Sequence, residues 1–260
     1  MPGVIFPLFG PLAINSYGFF IAIGLIIFTY LLIKDSIRPQ LISTDHLYNA
    51  LSLSILIAVI GGRLLFVFTE QSDFTQWYDF FALWQGGFSV LGAIIALLVT
   101  MPLYLYFNKI RAIALFDRAA IYAPLLQSIS RIGCFFAGCC FGKTCSTPWA
   151  IIVQAATGSI ERLHPTQLYS SLFLFIIFLC MVWRSQRPYK TGQLLSLYLM
   201  CIGVERFVVD IWRNDQTLWL KTSQFFLSIN QTIAIFLTIL GLVGYWWTSK
   251  QPNLVLKSKL

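Results

Sequence analysis

Three arginines interrupt runs of apolar residues that are long enough to cross a membrane. Arg63, Arg131 and Arg206 each lie within such a run. An arginine at the centre of a spanning helix costs roughly 2.5–3.5 kcal/mol on insertion scales, so it is rarely found there without a function. A guanidinium offers a planar fork of donors that pairs with two phosphate oxygens at once. The pattern therefore predicts a membrane protein that binds anionic lipid.

The composition predicts the same class. Hydrophobic residues make up 58% of the chain and charged residues 11%, whereas soluble domains carry about 25% charged residues. A helix crosses the hydrocarbon core in about 20 residues, while a membrane barrel would show alternating segments of about 10 residues. We therefore expect an all-α polytopic membrane protein, with about seven transmembrane helices forming a single integral membrane domain over residues 1–260. The predicted spans are 17–33, 48–68, 88–107, 119–137, 168–184, 193–210 and 227–248.

The distribution of basic residues predicts the orientation. Most of the 18 Lys and Arg lie in the first, third and fifth loops and the C-terminal tail, and residues 1–16 and 69–87 contain none. The positive-inside rule then places the N-terminus outside and the C-terminus in the cytoplasm. The net charge of +8 is thus a signal of topology. Nucleic acid is not expected as a partner, because no basic patch is interleaved with stacking aromatics.

Glycines and polar residues gather on the predicted outer side. The fourth loop, at about residues 138–167, is the longest, and it carries Gly138, Gly142 and His164. Tyr17-Gly18 opens the first span, and Gly86-Gly87 precedes the third. A site that is reached from outside the membrane is the simplest explanation of this pattern.

Short motifs in a fixed order resemble those of a known family. They are Tyr17-Gly18, Gly61-Gly62-Arg63-Leu64, Gly86-Gly87-Phe88-Ser89, Arg131-Ile132-Gly133 followed by Phe135, Gly138 and Gly142, His164-Pro165-Thr166-Gln167-Leu168-Tyr169, and Arg206-Phe207 followed by Asp210 and Arg213. They extend over most of the chain, from residue 17 to 213. Together with the predicted spans and orientation, they resemble the bacterial prolipoprotein diacylglyceryl transferase family.

The resemblance implies a reaction at the bacterial cytoplasmic (inner) membrane. Phosphatidylglycerol would donate its diacylglyceryl group to the lipobox cysteine thiol of a prolipoprotein signal peptide, forming a thioether. Fixed cations suit this chemistry, because charge develops on the departing phosphate, and the thiol must react as a thiolate. The implied partners are phosphatidylglycerol, prolipoprotein signal peptides and membrane lipid. The alternative is a catalytically altered paralogue that binds or moves anionic phospholipid with the same arginines.

The resemblance also implies residue roles. Arg131 and Arg206 are expected to be catalytic, with Arg131 also binding the donor phosphate. Asp210 lies four residues after Arg206 on a predicted helix, so the two side chains can pair. Arg63 either binds the headgroup or ties two helices together, because Gly61 and Gly62 allow close approach.

His164 is the one histidine on the predicted outer side, since the other, His46, falls in a cytoplasmic loop. It is either a catalytic base or an architectural residue at the start of a helix. Tyr17 either binds lipid or anchors the first span at the interface, where Tyr is enriched. Ser89, Gly138 and Gly142 complete the substrate-binding residues that the resemblance implies.

Several positions depart from the family pattern. Leu91 stands where the family commonly has a histidine proposed as the base for the thiol. Cys134, Ala137 and Cys139 replace two asparagines and a glutamate of the central motif, and Ile202 replaces a tyrosine. Either different groups serve the reaction here, or the activity has changed.

Four cysteines form a C-x4-C-C-x4-C pattern on the predicted outer side, at Cys134, Cys139, Cys140 and Cys145. Disulfides are plausible on that side of the membrane, and the favoured pairs join Cys134 or Cys145 to Cys139 or Cys140. A tetrahedral metal site fits the spacing poorly, because ligand pairs are usually separated by 2–4 residues. Simple packing is the third possibility. No metal and no organic cofactor is expected.

Overall fold

A computed structural model describes residues 4–7, 13–69, 87–154, 160–213, 218–222, 225–250 and 255–256. The chain groups into two compact units. The first comprises Met1–Ile5, Ile14–Ser36 and Phe116–Leu260, and the second comprises Phe6–Ala13 and Ile37–Leu115. Each unit is described by itself below, and the single domain expected over residues 1–260 stays a prediction.

Helices account for most of the described residues. They are α1 (Ser16–Lys34), α2 (Arg38–Leu41), α3 (Thr44–Thr69), α4 (Val90–Phe107), α5 (Ala112–Phe136), α6 (Thr166–Ser185), α7 (Gln193–Asp210) and α8 (Ile229–Lys250). Short strands lie between them, at β1 (Val4–Pro7), β2 (Ala13–Asn15), β3 (Ile151–Gln154), β4 (Ile160–Leu163), β5 (Tyr189–Lys190), β6 (Leu218–Thr222), β7 (Phe225–Ser228) and β8 (Val255–Leu256). The antiparallel pairs β3–β4, β5–β8 and β6–β7 belong to the first unit.

Six helices in the described ranges are long and apolar enough to cross a membrane: α1, α3, α4, α5, α6 and α8. The predicted helical, multi-pass membrane architecture is therefore confirmed. Helix α7 coincides with the predicted sixth span at 193–210, but it carries Glu205, Arg206 and Asp210 within 18 residues. A seventh span and the orientation of the termini stay predictions.

The core of the first unit lies among α5, α6, β5 and α7. Its buried members are Ala120, Ile121, Ile177, Met181, Tyr189 and Leu194. Apolar side chains at this spacing on α5, α6 and α7 bury one stripe of each helix. The result is a fixed relation between α5, which carries Arg131, and α7, which carries Arg206.

The beginning of α7 is capped by a carboxylate from α5. Asp117 accepts hydrogen bonds from the backbone N–H of Gly192 at 2.5 Å and of Leu195 at 2.7 Å. An anion at this position pairs with the free N–H groups of the first helical turn and with the positive end of the helix dipole. Gly192 has φ of +93°, a conformation that favours glycine.

A buried ion pair joins α5 to the end of α1. The side chains of Arg118 and Asp35 are 3% and 0% exposed. Arg118 Nε donates to Asp35 Oδ2 at 2.9 Å, and its Nη1 donates to the Tyr189 hydroxyl at 2.9 Å. The Tyr122 hydroxyl donates to the same Asp35 oxygen at 2.8 Å. Arg118 thus lies inside α5, which begins at Ala112, whereas the predicted fourth span begins at residue 119.

Glycines let α7 and α8 approach each other closely. A Cβ atom added at Gly203 would lie 2.6 Å from the Ala234 carbonyl oxygen and 2.3 Å from Thr238 Oγ1. One added at Gly241 would lie 2.6 Å from the Ser196 carbonyl oxygen. Small residues at such positions are the usual basis of close helix packing in membranes. Helix α7 is therefore held at its flank as well as at its beginning.

Candidate active site

Arg131 and Arg206 form the centre of the candidate site. Both are half-buried, Arg131 in the last turns of α5 and Arg206 in the last turns of α7. The two guanidiniums and that of Arg213 lie within electrostatic range of one another. Within the described part of the chain, neither the Arg131 side chain nor the Arg206 side chain makes an ion pair or a hydrogen bond. Like charges held together without such partners favour the binding of an anion between them.

Two carboxylates lie close to these cations, and each accepts a hydrogen bond from a serine hydroxyl. Glu205 is 4% exposed and accepts from the Ser170 hydroxyl of α6. Asp210 is 0% exposed, and its Oδ2 accepts from Ser228 Oγ at 2.6 Å. Asp210 therefore accepts a hydrogen bond at the beginning of α8, while its charge still acts on the Arg206 guanidinium. A direct pair between the two side chains and a role of Asp210 in binding substrate stay predictions.

Three segments of the first unit meet at Gly142. Its N–H donates to the His164 carbonyl at 2.9 Å, and it forms an isolated bridge with Arg213. The Lys143 N–H donates to the Trp212 carbonyl at 2.8 Å. A Cβ at Gly142 would lie 2.6 Å from the Trp212 carbonyl oxygen and 2.7 Å from Thr166 Cγ2. Gly142 thus closes the junction that places Arg213 beside the site, and a direct role in binding substrate stays a prediction.

The end of α5 brings Cys134 and Cys139 together. The Gly138 N–H donates to the Phe135 carbonyl at 3.2 Å, and the Cys139 N–H donates to the Cys134 carbonyl at 3.2 Å. This is the Schellman motif, with Gly138 in the left-handed region at φ of +71° and with side-chain contact between the residues five apart. Cys140 also has a left-handed φ of +65°, and its thiol joins the other two. The three sulfur atoms lie within 4.8 Å of one another.

The favoured disulfide pairing is not present, because all six cysteines carry free thiols. Cys145 lies apart from the three-sulfur group, and its Sγ is 3.4 Å from Thr147 Oγ1. Hydrogen bonds from Cys134 and Cys139 lower the pKa of the Cys140 thiol, and the charges of Arg213 and Arg131 act in the same direction. The pattern of four cysteines therefore resolves into a compact trio and one separate residue.

His164 is engaged by a neighbouring tyrosine. Its Nδ1 lies 3.1 Å from the Tyr169 hydroxyl, which accepts from Trp149 Nε1 at 2.8 Å. Its backbone N–H and C=O are bonded to Lys143 and Gly142. The geometry favours the architectural alternative, because one ring nitrogen and both backbone groups already have partners. Its role as a base stays a prediction.

Tyr17 lies next to Arg131. Its hydroxyl lies close to the Ser130 side chain and within electrostatic range of Arg131. Helices α1 and α5 touch here, since a Cβ at Gly133 would lie 2.8 Å from Phe20 Cβ. This position agrees with a contact to lipid bound at Arg131, although that contact remains a prediction.

Arg63, Ser89 and Leu91 belong to the second unit. Arg63 is 2% exposed, donates to the Gly87 carbonyl at 3.0 Å and lies over the rings of Phe66 and Phe88. Ser89 caps α4 by accepting from the Gly92 N–H at 3.4 Å. Both arrangements favour structural roles. The exposed Leu91 adds no polar group at its position on α4, and Gly86 lies outside the described residues.

Arg213, Glu205 and Gln167 belong to the site but were not predicted as site residues. Gln167 is 1% exposed, and its Nε2 donates to the Cys139 carbonyl at 2.5 Å. Both Arg213 and Gln167 stand in motifs that carry the family resemblance, which was a usable signal. Nothing in the local sequence marks Glu205, since its importance arises from its contact with Ser170 of α6.

Known proteins resemble this chain over nearly its whole length. The family model of prolipoprotein diacylglyceryl transferase matches residues 3–247. The chain is 32% identical over 244 residues to the phosphatidylglycerol–prolipoprotein diacylglyceryl transferase of Clostridium tetani, covering 93% of this chain and 96% of that protein. It is 33% identical over 242 residues to phosphatidylglycerol–prolipoprotein diacylglyceryl transferase 2 of Clostridium perfringens, with 90% and 91% covered. The Bordetella parapertussis enzyme of that name is 30% identical over 251 residues, with 94% of each chain covered. These matches confirm the resemblance, and the chain belongs to the prolipoprotein diacylglyceryl transferase family.

Proposed function

We propose that this chain transfers the diacylglyceryl group of phosphatidylglycerol to the lipobox cysteine thiol of prolipoproteins. The observation that carries the proposal is the pair of half-buried guanidiniums, Arg131 and Arg206, which have no ion pair among the described residues. The names of the relatives give the donor and the acceptor. No other arrangement described above offers so much positive charge to a phosphodiester.

The proposed step displaces a phosphate from carbon. The acceptor sulfur attacks the glyceryl carbon that bears the phosphate, the carbon–oxygen bond breaks, and its electron pair leaves on the oxygen of glycerol phosphate. Arg131 and Arg206 bind the phosphate before the step and stabilise the charge that grows on it during the step. Guanidinium suits this role because its charge persists at any physiological pH.

An apolar groove beside Arg206 supports the lipid part of the proposal. It runs between α7 and α8 and is lined by Val204, Phe207, Ile235, Thr238 and Ile239. We infer that the groove accepts an acyl chain of the donor lipid.

The location is part of the same proposal. We infer the bacterial cytoplasmic membrane, with the N-terminus outside, the C-terminus in the cytoplasm and α7 as a seventh span. The support is the concentration of basic residues in alternate loops and in the C-terminal tail, interpreted by the positive-inside rule. Reporter fusions at Lys109 and at Lys143 test this topology, since the two positions are expected on opposite sides.

A reconstituted assay tests the activity. The purified protein is reconstituted in vesicles that contain phosphatidylglycerol, and a peptide that carries a lipobox cysteine is added. The mass of the product is measured by mass spectrometry. The expected product is the peptide plus one diacylglyceryl group, resistant to hydroxylamine as a thioether is. A peptide with serine in place of cysteine, and vesicles of phosphatidylethanolamine alone, serve as controls.

Rescue of a strain depleted of its own diacylglyceryl transferase is the cellular counterpart. Good expression in the membrane without modified lipoprotein would contradict the proposal, provided that a native lipoprotein from the same source also stays unmodified. That result would instead favour a paralogue that binds or moves anionic phospholipid.

A further inference from the structure

We propose that the thiols of Cys134, Cys139 and Cys140 form a zinc site whose fourth position receives the sulfur of the acceptor cysteine. The inference rests on the proposed function for the identity of the acceptor. The metal site itself rests on geometry alone.

The three sulfur atoms are already arranged as ligands. They lie within 4.8 Å of one another, and all three thiols are free. Tetrahedral zinc with Zn–S bonds of about 2.3 Å places its sulfurs about 3.8 Å apart. A closure of about 1 Å at most therefore completes the site, which small rotations of the side chains provide.

The local fold explains how an unusual ligand spacing becomes a compact site. Zinc ligands usually come in pairs separated by a few residues of loop. Here the Schellman motif at the end of α5 returns Cys139 to Cys134, with the Cys139 N–H on the Cys134 carbonyl at 3.2 Å. The left-handed backbone at Cys140, with φ of +65°, then turns the third thiol toward the first two.

The first turn of α6 holds this loop in place. Gln167 Nε2 donates to the Cys139 carbonyl at 2.5 Å, and Thr166 Oγ1 donates to the Cys140 carbonyl at 2.8 Å. Gln167 and Thr166 are each 1% exposed. Such hydrogen bonds to the ligand residues orient the ligands and hold a metal site ready.

Charge around the trio suits an anionic complex. Three thiolates and one divalent zinc ion carry a net charge of about −1. Arg131 and Arg213 lie within electrostatic range of Cys140, so their positive charge balances the complex. The same arrangement places the sulfur group beside the cation that we assign to the donor phosphate.

The site has room for one ligand from outside. Cys145 does not join it, since its thiol contacts Thr147, and across the described ranges the trio contains only these three metal-ligating side chains. Cys134 is buried whereas Cys139 is exposed, so the sulfur group is open on one side. Three protein ligands with an open fourth position are the mark of a catalytic zinc site.

The chemistry matches what the reaction needs. A thiol that coordinates zinc loses its proton outright, and here that proton passes to water. The bound sulfur then supplies the electron pair to the glyceryl carbon as the carbon–oxygen bond breaks and glycerol phosphate leaves. The thioether product has no negative charge on sulfur and dissociates from the metal. This supplies the activation of the thiol that Leu91, in place of the family's histidine, does not provide.

Metal content and cobalt spectroscopy test the site. The protein is purified in detergent under reducing conditions, and its zinc content is measured by elemental mass spectrometry. We expect about one zinc per chain, lost in Cys134→Ser, Cys139→Ser and Cys140→Ser and kept in the matched variants Cys145→Ser and Cys180→Ser. Cobalt added to the metal-free wild type is expected to give the absorption bands of tetrahedral cobalt with thiolate ligands, which requires no variant to fold.

The acceptor role has its own measurement. A lipobox peptide with cysteine is expected to change the cobalt spectrum, whereas the serine peptide is not. Wild type without bound zinc and without thiolate–cobalt bands would overturn the site, and full transfer by metal-free protein would overturn its role in activating the acceptor. An unchanged spectrum with the cysteine peptide would overturn the acceptor role.

The outcomes also separate this inference from the proposed function. Transfer without metal refutes the role of the zinc site in the reaction and leaves the transferase intact. Metal bound by the three thiols, with a spectral response to the peptide and no transfer from any phospholipid, supports the site and refutes the transferase.

Discussion

The hydroxyl of Tyr169 lies 3.1 Å from Nδ1 of His164. The same hydroxyl accepts from Trp149 Nε1, and because an indole N–H is only a donor, the Tyr169 proton is available to Nδ1. When Tyr169 donates to Nδ1, the imidazole proton resides on Nε2. A neutral histidine in this state has no free nitrogen with which to take a proton from the acceptor thiol.

This arrangement predicts mild effects of substitution at His164. We expect His164→Ala and Tyr169→Phe to lower the transfer rate by about tenfold or less, since each removes a net hydrogen bond of about 0.5–1.5 kcal/mol. Thermal stability should fall in parallel, and the pH profile of the rate should keep its shape. A general base would contribute about 10²–10⁴-fold, so a loss of that size with a changed pH profile would restore the catalytic role.

Arg131→Ala and Arg206→Ala should each reduce transfer about 10²–10³-fold, as expected for loss of a group that stabilises charge in the transition state. Arg→Lys at either position should give a transfer rate between that of wild type and that of the Ala variant. Lysine keeps the charge but not the planar fork of donors. Initial rates in phosphatidylglycerol vesicles measure the effect. Arg187→Ala is the matched control, since that exposed guanidinium stacks on Trp183 after the end of α6. Equal loss in the control would contradict the assignment.

The buried pair Asp35–Arg118 predicts a large effect on stability. Arg118→Met leaves the Asp35 charge buried without its cation, which costs about 3–5 kcal/mol. Unfolding in mixed detergent micelles, followed by far-ultraviolet circular dichroism, gives the free energy of unfolding. The double variant Asp35→Asn with Arg118→Met should lose less than the sum of the single variants. Lys34→Met, exposed and adjacent in the chain, should be near neutral, and a similar loss there would refute the argument.

The close approach of α7 and α8 predicts that a single methyl group is harmful at Gly203. Gly203→Ala places Cβ against backbone and Thr238, and overpacking of this kind costs about 1–3 kcal/mol. Because Gly203 lies one turn before Arg206, the transfer rate should fall along with the thermal midpoint. Gly18→Ala is the control, since nothing lies within 4 Å of its added Cβ. Equal transfer rates and thermal midpoints in the two variants would mean that α7 and α8 can move apart without loss of activity or stability.

Hydropathy located the helices well, because each predicted span coincides with a described helix. It placed the beginning of α5 late, since Asp117 and Arg118 have the polarity of a loop, and their buried partners on α1, β5 and α7 cannot be deduced from local sequence. The same limit applies to Asp210. Spacing on a helix makes a pair with Arg206 possible, but it gives no sign that Ser228, eighteen residues further along the chain, donates to the carboxylate.

The cysteines show a different limit. Loop spacing argued against a metal, because it assumes that residues five apart are separated in space. Disulfides were favoured because of the predicted outer location of the cysteines. The glycine-dependent end of α5 removes that separation. Gly138 was expected among the substrate-binding residues, yet its described role is to make this turn.

Helix α7 is fastened at both ends, by Asp117 at Gly192 and by Ser228 at Asp210. A residue inserted or deleted anywhere between these anchors would turn the intervening side chains by about 100°. Because both ends are held by hydrogen bonds, neither can rotate to compensate. The Arg206 side chain would therefore point away from Arg131. Across natural variants of this chain, we therefore expect the number of residues between the two anchors to be fixed even where the residues themselves change.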